Sequence, residues 1–297
     1  MRVVPSELYS NLIADLQTDR QNVNQSVLEA SSGQSVNTLS DNPMAAGRLV
    51  LNRAQMADVD QFSYSVSTVQ GSMNAADSAL NSVVSSLTQA VSVGTEAAGG
   101  TLSSTALQAL GQQVTEIEQQ VVGLANTTYQ GNYLFSGSAV TTQAYTLDNS
   151  TGAVTYNGND DSNQVQVGEG QTMALNLPGS SIFNASGADV FQSLANLTTA
   201  ISSGDTTTIG TAIASVQSAL NNVIAQRSIY GVRLQELGAD STNLSQEKLT
   251  LQQNQTSLIG ADQAQVATNL SQAETTLQAA IAAASQVSQE SLLNYLK

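Results

Sequence analysis

The residues able to do chemistry are few and scattered. The chain has no histidine and no cysteine, which removes the commonest general base and metal ligand along with thiol nucleophiles, disulfides and thiolate metal sites. Carboxylates remain. Asp160 and Asp161 follow Asn157 and Asn159 closely enough to suggest an oxygen-rich cation loop, but EF-hand spacing is not met and a solvated turn is the plainer reading. Glu116 and Glu118 stand two apart in a helical stretch, so they point to different faces and read as surface charge. Gly168-Glu169-Gly170 lacks the third glycine of a dinucleotide-binding turn, because position 173 is methionine. Arg227 and Arg233 flank Gly231 and could engage an acidic partner; a salt bridge with a close helix contact at the glycine is the simpler expectation. Asn-x-Ser/Thr triplets at Asn126, Asn196, Asn243 and Asn269 occur in a chain rich in those residues, mostly on helical stretches. These residues form no catalytic constellation, so the chain reads as a non-enzyme with no cofactor and no metal.

Composition narrows the field further. The chain has 297 residues, of which 10% are charged and 4% aromatic, with no tryptophan. The net charge is −15 and the lysines are Lys248 and Lys297, which disfavours nucleic acid and anionic membrane surfaces, since both need clustered cations. No run of about 20 apolar residues is present, so no membrane insertion is expected. Met1–Gln21 lacks the basic start and unbroken apolar block of a secretory signal. If the protein leaves the cell, it does so by a route that reads no such signal.

With no chemistry to position, the elements themselves become the subject. From Pro43 to about Val93 the apolar residues keep a seven-residue clock: Val59, Val66, Met73, Leu80 and Leu87, with Phe62, Val69, Ala76, Val83 and Ala90 three places on. That 3–4 alternation is the pattern of a coiled-coil seam. Ser40-Asp41-Asn42 offers capping oxygens, and Pro43 suits the first turn, where no amide donor is needed. Such a helix is roughly 75 Å long, too long for the middle of a compact domain, and reads as the spine of a rod.

Residues 5–32 read as an amphipathic helix ended by Ser31-Ser32-Gly33. A third helix from about Ser104 carries Leu107, Leu110, Val114, Ile117, Val121 and Leu124, and the short loop before it implies an antiparallel return. The rhythm then stops. Ala144–Leu147, Ala153–Tyr156, Gln164–Val167 and Met173–Leu177 read as short strands between turns such as Asn157-Gly158. A short helix is expected at about Asp189–Ser202, then a long one from Asp205 with Ile213, Val216, Leu220, Val223, Tyr230, Leu234, Leu237, Leu244, Leu251 and Leu258 in heptad register. Arg227, Ser241, Lys248 and Gln255 interrupt that seam, weakening it while fixing its register. Gly260-Ala261-Asp262 breaks the helix, and the final segment carries Val266, Leu270, Ala273, Leu277, Ala280, Ala284 and Val287.

The expected architecture is mainly α: a long antiparallel coiled-coil rod made by the N- and C-terminal segments, with a small β-rich inserted domain. Its parts are an N-terminal assembly helix and connector (1–42), a helical hairpin (43–131), the β-rich insert (132–186), return helices (187–260) and a C-terminal assembly helix (261–297). Both end helices are thin. An Ala-rich stripe buries little area at ~25 cal/mol per Å², against ~1–2 kcal/mol of backbone entropy per residue. The ends are therefore expected to order against each other and against neighbouring copies.

Three motifs then carry a resemblance. Ser32-Gly33, Asn37, Ser40-Asp41-Asn42-Pro43 and Ala45-Ala46 near the start, Gly131–Ser138 (GNYLFSGS) in the middle, and Arg227…Gly231-x-Arg233-Leu234 with Val287-Ser288-x-x-Ser291-Leu292-Leu293-Asn294-Tyr295-Leu296 late in the chain are similar to the bacterial flagellin family. Within it they look like the hook-associated members that join hook to filament. The chain departs at Asn42, where that pattern more often has aspartate, and at Val4-Pro5. The resemblance implies a secreted, non-enzymatic building block of the flagellum, exported unfolded by the flagellum's own type III apparatus. The implied partners are neighbouring copies in a ring, the other hook–filament junction protein, hook or filament subunits, and a cytoplasmic export chaperone at the C-terminal end. On that reading Leu8, Leu12, Leu16, Leu270, Leu277, Leu292, Leu293 and Leu296 carry assembly. A filament subunit proper is the nearest alternative. A helical adhesin or stalk would also show heptads and a β head, but would carry a secretory signal.

Overall fold

The computed structural model describes residues 5–148 and 150–295. Seven helices and eight short strands are found among them: α1 Pro5–Ser32, α2 Pro43–Ala97, α3 Ser104–Ala125, β1 Thr128–Tyr129, β2 Asn132–Tyr133, β3 Tyr145–Leu147, β4 Val154–Tyr156, β5 Gln164–Gly168, β6 Gln171–Ala174, α4 Gly179–Phe183, β7 Asn184–Ala185, β8 Ala188–Asp189, α5 Val190–Ser203, α6 Thr206–Ile259 and α7 Gln263–Tyr295. The fold is mainly α. The strands form antiparallel two-stranded hairpins, β1–β2, β3–β4, β5–β6 and β7–β8. The chain divides into two compact units, one of residues 1–58 with 247–297 and one of residues 59–246.

In the larger unit the heptad clock is the core. Val66, Val69, Met73, Ala76, Leu80, Val83, Leu87 and Ala90 of α2 are at most 2% exposed, and only Phe62 among the seam positions is half-buried. α6 answers with Val216, Val223, Tyr230 and Leu237, all buried. The two helices run antiparallel: Arg227 reaches Asp77, and the backbone at Gly94 lies against Ile213 and Leu197. A methyl added at Gly94 would stand 2.9 Å from Ile213 Cγ1, so the helix continues through this glycine because close packing there needs a missing side chain. α3 starts at an N-cap, Ser103, whose hydroxyl accepts from the Ala106 amide. It packs along α5, which is itself capped by Asp189 and ended by Gly204 in the left-handed conformation.

The β-rich part of this unit has an aromatic heart. Tyr145 packs its ring 5.4 Å from Phe183 and 5.0 Å from Phe191 and Tyr156, and Phe135 meets Phe183 edge-on at 5.4 Å, separations at which aromatic pairs attract beyond simple area burial. The buried Tyr145 hydroxyl donates to Asn184 Oδ1 at 2.8 Å. Strands longer than five residues are absent among the described residues, so this aromatic packing, with helix α4, holds the hairpins where ladders cannot. The hairpin β1–β2 straddles the expected start of the insert at 132, and α4 falls in a stretch with no helical period.

In the smaller unit the core is thin. Val36, Ala45, Leu49 and Ile259 form its buried cluster, with Leu258 beside it. α1 packs along α7.

Candidate assembly surface

The corner where α1 meets α2 and α6 meets α7 is built by short-range polar chemistry. Gly33 closes α1 at φ +69°, a conformation that suits glycine. The following residues pair with the α6–α7 break: the Ser35 amide donates to Ile259 O at 2.7 Å and the Ala261 amide to Gly33 O at 3.0 Å, making an antiparallel bridge between Gln34 and Gly260. Asp41 then organises the connector, accepting from the Asn37 and Thr38 amides at 2.9 and 2.8 Å and from the Thr38 hydroxyl at 2.7 Å. These bonds, the Thr38 hydroxyl first, hold its carboxyl below the usual carboxylate range. Asn42 caps α2 through its Oδ1, which accepts from Ala45 N at 3.1 Å, and Pro43 is the first helical residue. Asp262 starts α7 by accepting from Ala264 N at 2.9 Å. α1 and α7 thus leave one pinned corner and run antiparallel.

The apolar stripes of that pair are slender. Leu12, Leu16 and Val23 of α1 are half-buried, as are Leu270, Ala273, Leu277, Ala280 and Ala284 of α7, while Val266 near the corner is buried. Leu8, Leu292 and Leu293 fall at helix positions whose side chains lie outside the described residues, and Leu296 lies outside them altogether. Exposed apolar side chains are frequent nearby, Ile13, Val27, Leu28 and Ile281 among them. Asn52, buried on α2, donates to Leu251 O at 3.1 Å. Its Oδ1 has no partner among the described residues.

The residues weighed for chemistry resolve into structural roles, with two corrections. Asn159 is consumed by Ser138, whose amide it accepts at 2.8 Å, and Asp160 accepts the Ser180 hydroxyl. Among the described residues no cluster of three or more acidic side chains could hold a metal. Gly168–Gly170 is the turn of the β5–β6 hairpin. Asn126 is bonded both ways to Tyr145, its Oδ1 accepting from the Tyr145 amide and its Nδ2 donating to the Tyr145 carbonyl, each at 2.8 Å. Arg227 forms the expected salt bridge, Nε to Asp77 Oδ1 at 2.7 Å, and adds Asn81 at 2.8 Å. Gly231, however, makes no close helix contact, since nothing lies within 4 Å of an added Cβ. Glu118 is not surface charge. It is 6% exposed on the packed face of α3, its Oε1 has no partner among the described residues, and burial pushes its carboxyl up to about 7. The signal was in the spacing: Val114, Glu118, Val121 and Ala125 keep the 4–3–4 rhythm of a seam.

Comparison with known proteins identifies the family. A model of the bacterial flagellin N-terminal helical region matches residues 6–140, and one of the flagellin C-terminal helical region matches residues 213–296. The chain belongs to the bacterial flagellin family. It is 28% identical over 233 residues to flagellar hook-associated protein 3 of Salmonella typhimurium, covering 70% of this chain and 72% of that protein. To the Escherichia coli protein of the same name it is 25% identical over 258 residues, covering 79% of this chain and 80% of the relative. In fold it is similar to a putative flagellar hook-associated protein from Vibrio parahaemolyticus, with a TM-score of 0.68 and 21% identity over 74% of this chain and 100% of the other. Among the described residues no helix is long and apolar enough to cross a membrane.

Proposed function

We propose that this chain is a structural subunit of the bacterial flagellum at the hook–filament junction. The observation that carries this reading is likeness to hook-associated proteins over 70% or more of both chains, with the family's two helical regions at the two ends. The work is mechanical. Thin α1 and α7, anchored at the Ser35–Ile259 corner, present leucine stripes that are only partly covered within one chain. Leu12, Leu16, Leu270 and Leu277, with Leu8, Leu292, Leu293 and Leu296, gain their full burial when neighbouring axial subunits pack against them. The partners are sibling copies in a ring, the other junction protein, and hook or filament subunits. A cytoplasmic chaperone holds the C-terminal end before export, and export uses the flagellar type III route without a cleaved signal.

The test is a deletion strain examined by electron microscopy. Complete hooks with filament subunits shed into the medium, and filaments restored by the wild-type gene, are the expected results. Purified chain that polymerises alone into long filaments would instead make it a filament subunit.

A further inference from the structure

The first four turns of α2 are apolar on two sides at once. The inner side, Ala45, Leu49 and Met56, faces the small core of its own unit. The opposite side carries Met44, Gly47, Val50, Leu51, Ala54 and Ala57, all exposed, with Met44 at 71%, Val50 at 64% and Leu51 at 67%. Helical spacing joins Met44, Gly47, Leu51 and Ala54 in a second 3–4–3 rhythm, the knob pattern of a seam. Nothing lies within 4 Å of a Cβ added at Gly47, so another backbone can approach closely there. Beyond Ala57 the outward residues of α2 are mostly polar or charged, Asp58, Gln61, Ser67, Asn74, Ser78, Asn81, Ser85, Thr88 and Ser92 among them, with Tyr64 the large apolar exception at 69% exposed. An apolar face on a helix is one made to be covered, and this second face is not covered within its own chain.

Charge says what covers it. The stripe is flanked by exposed Arg48 on one edge and exposed Arg53 on the other, and its first acidic residue is the exposed Asp58 at its far end. Yet the chain as a whole holds 23 acidic residues against 8 basic ones. A basic-edged apolar ridge on an acidic molecule complements its own siblings and repels cationic partners.

Resting on the junction reading above, we propose that the outward face of α2 between Met44 and Ala57 docks onto a neighbouring copy of this chain, Arg48 and Arg53 meeting sibling carboxylates. This surface is separate from the leucine stripes of α1 and α7. It sets a lateral contact in the ring, with the apolar ridge supplying burial and the arginines supplying register.

A photo-crosslinking amino acid placed at position 51 and irradiated in assembled flagella tests it. An adduct of two copies of this chain is the expected result. Adducts only with another flagellar protein, or none, would overturn the proposal. In parallel, Val50→Asp with Leu51→Asp is expected to keep the monomer's melting temperature within about 3 °C, because both side chains are exposed. The same pair is expected to lower the number of filament-bearing hooks at least roughly tenfold. Normal filaments on that strain would overturn this surface while leaving the junction reading intact. Failure of the wild-type gene to restore filaments would sink the junction reading, and this contact with it.

Discussion

The two units of the molecule are made from similar heptads and come out very differently finished. Among the described residues every large side chain that is essentially fully buried, from Met73 and Leu80 through Phe135, Tyr145 and Phe183 to Leu194 and Tyr230, lies in the unit of residues 59–246. In the smaller unit the best-buried large apolar residues, Ile259 and Val266, keep 3% and 4% of their surface. Nine of the thirteen large apolar side chains found exposed among the described residues, Leu39, Met44 and Leu51 included, also lie in the smaller unit. Periodicity alone does not make a core. In the larger unit α3 and α5 pack together and the aromatic cluster fills the β-rich part. α1 and α7 pack chiefly on each other among the described residues, and in the junction reading proposed above theirs is the unit that neighbours complete.

Four substitutions would break or sharpen that contrast. Phe183→Ala removes a ring that touches Phe135, Tyr145 and Phe191 and is expected to cost about 3–5 kcal/mol of stability in urea denaturation. A cost below about 1 kcal/mol would mean that the aromatic cluster does not hold the hairpins.

Glu118 comes next and carries a pH signature. Its folded carboxyl titrates near 7, raised from the ordinary 4.5 by burial. Below about pH 4.5 both folded and unfolded chains hold the proton and stability is undiminished. As pH rises from there the unfolded chain releases it first, and stability falls until about pH 7, then levels. The loss is expected to be about 3 kcal/mol for a shift of that size. Glu118→Gln should flatten that slope and leave the chain more stable than wild type at pH 8. An unchanged slope in thermal scans across this range would assign the effect elsewhere.

Leu277→Ala, on the half-buried stripe of α7, should cost about 1–2 kcal/mol in the isolated chain, less than a fully buried leucine because part of its surface stays in water. The same change should impair filament attachment in cells. Smallest of all, Arg227→Gln breaks the salt bridge to Asp77, both side chains being about one-third exposed. It should shift stability by under about 1 kcal/mol, with the difference shrinking in 1 M salt.

Much of this was legible in the residues. The seam of α2 was readable from its seven-residue spacing, the helix start from Asn42-Pro43, and the break before α7 from Gly260-Ala261-Asp262. Those signals are local or strictly periodic. The hairpin β1–β2 and the five-residue α4 were not legible, because elements of two to five residues have no period to detect and owe their form to the rings of Phe135, Tyr145 and Phe183. The burial of Glu118 does not follow from the 116–118 pair; it follows from the seam running through Val114 and Val121. The outward ridge from Met44 to Ala57 shares its residues' spacing with the inner rhythm of the same helix, so periodicity alone does not separate the two.

The central claim is that one unit of this chain is complete alone and the other becomes complete only in company. Amide hydrogen exchange, read segment by segment on the purified monomer, tests it most directly. The expected result is slow exchange through residues 66–90 of α2 and 209–237 of α6, with fast exchange along α1 and α7 that slows in the assembled flagellum. Uniformly strong protection of α1 and α7 in the isolated chain would contradict the account.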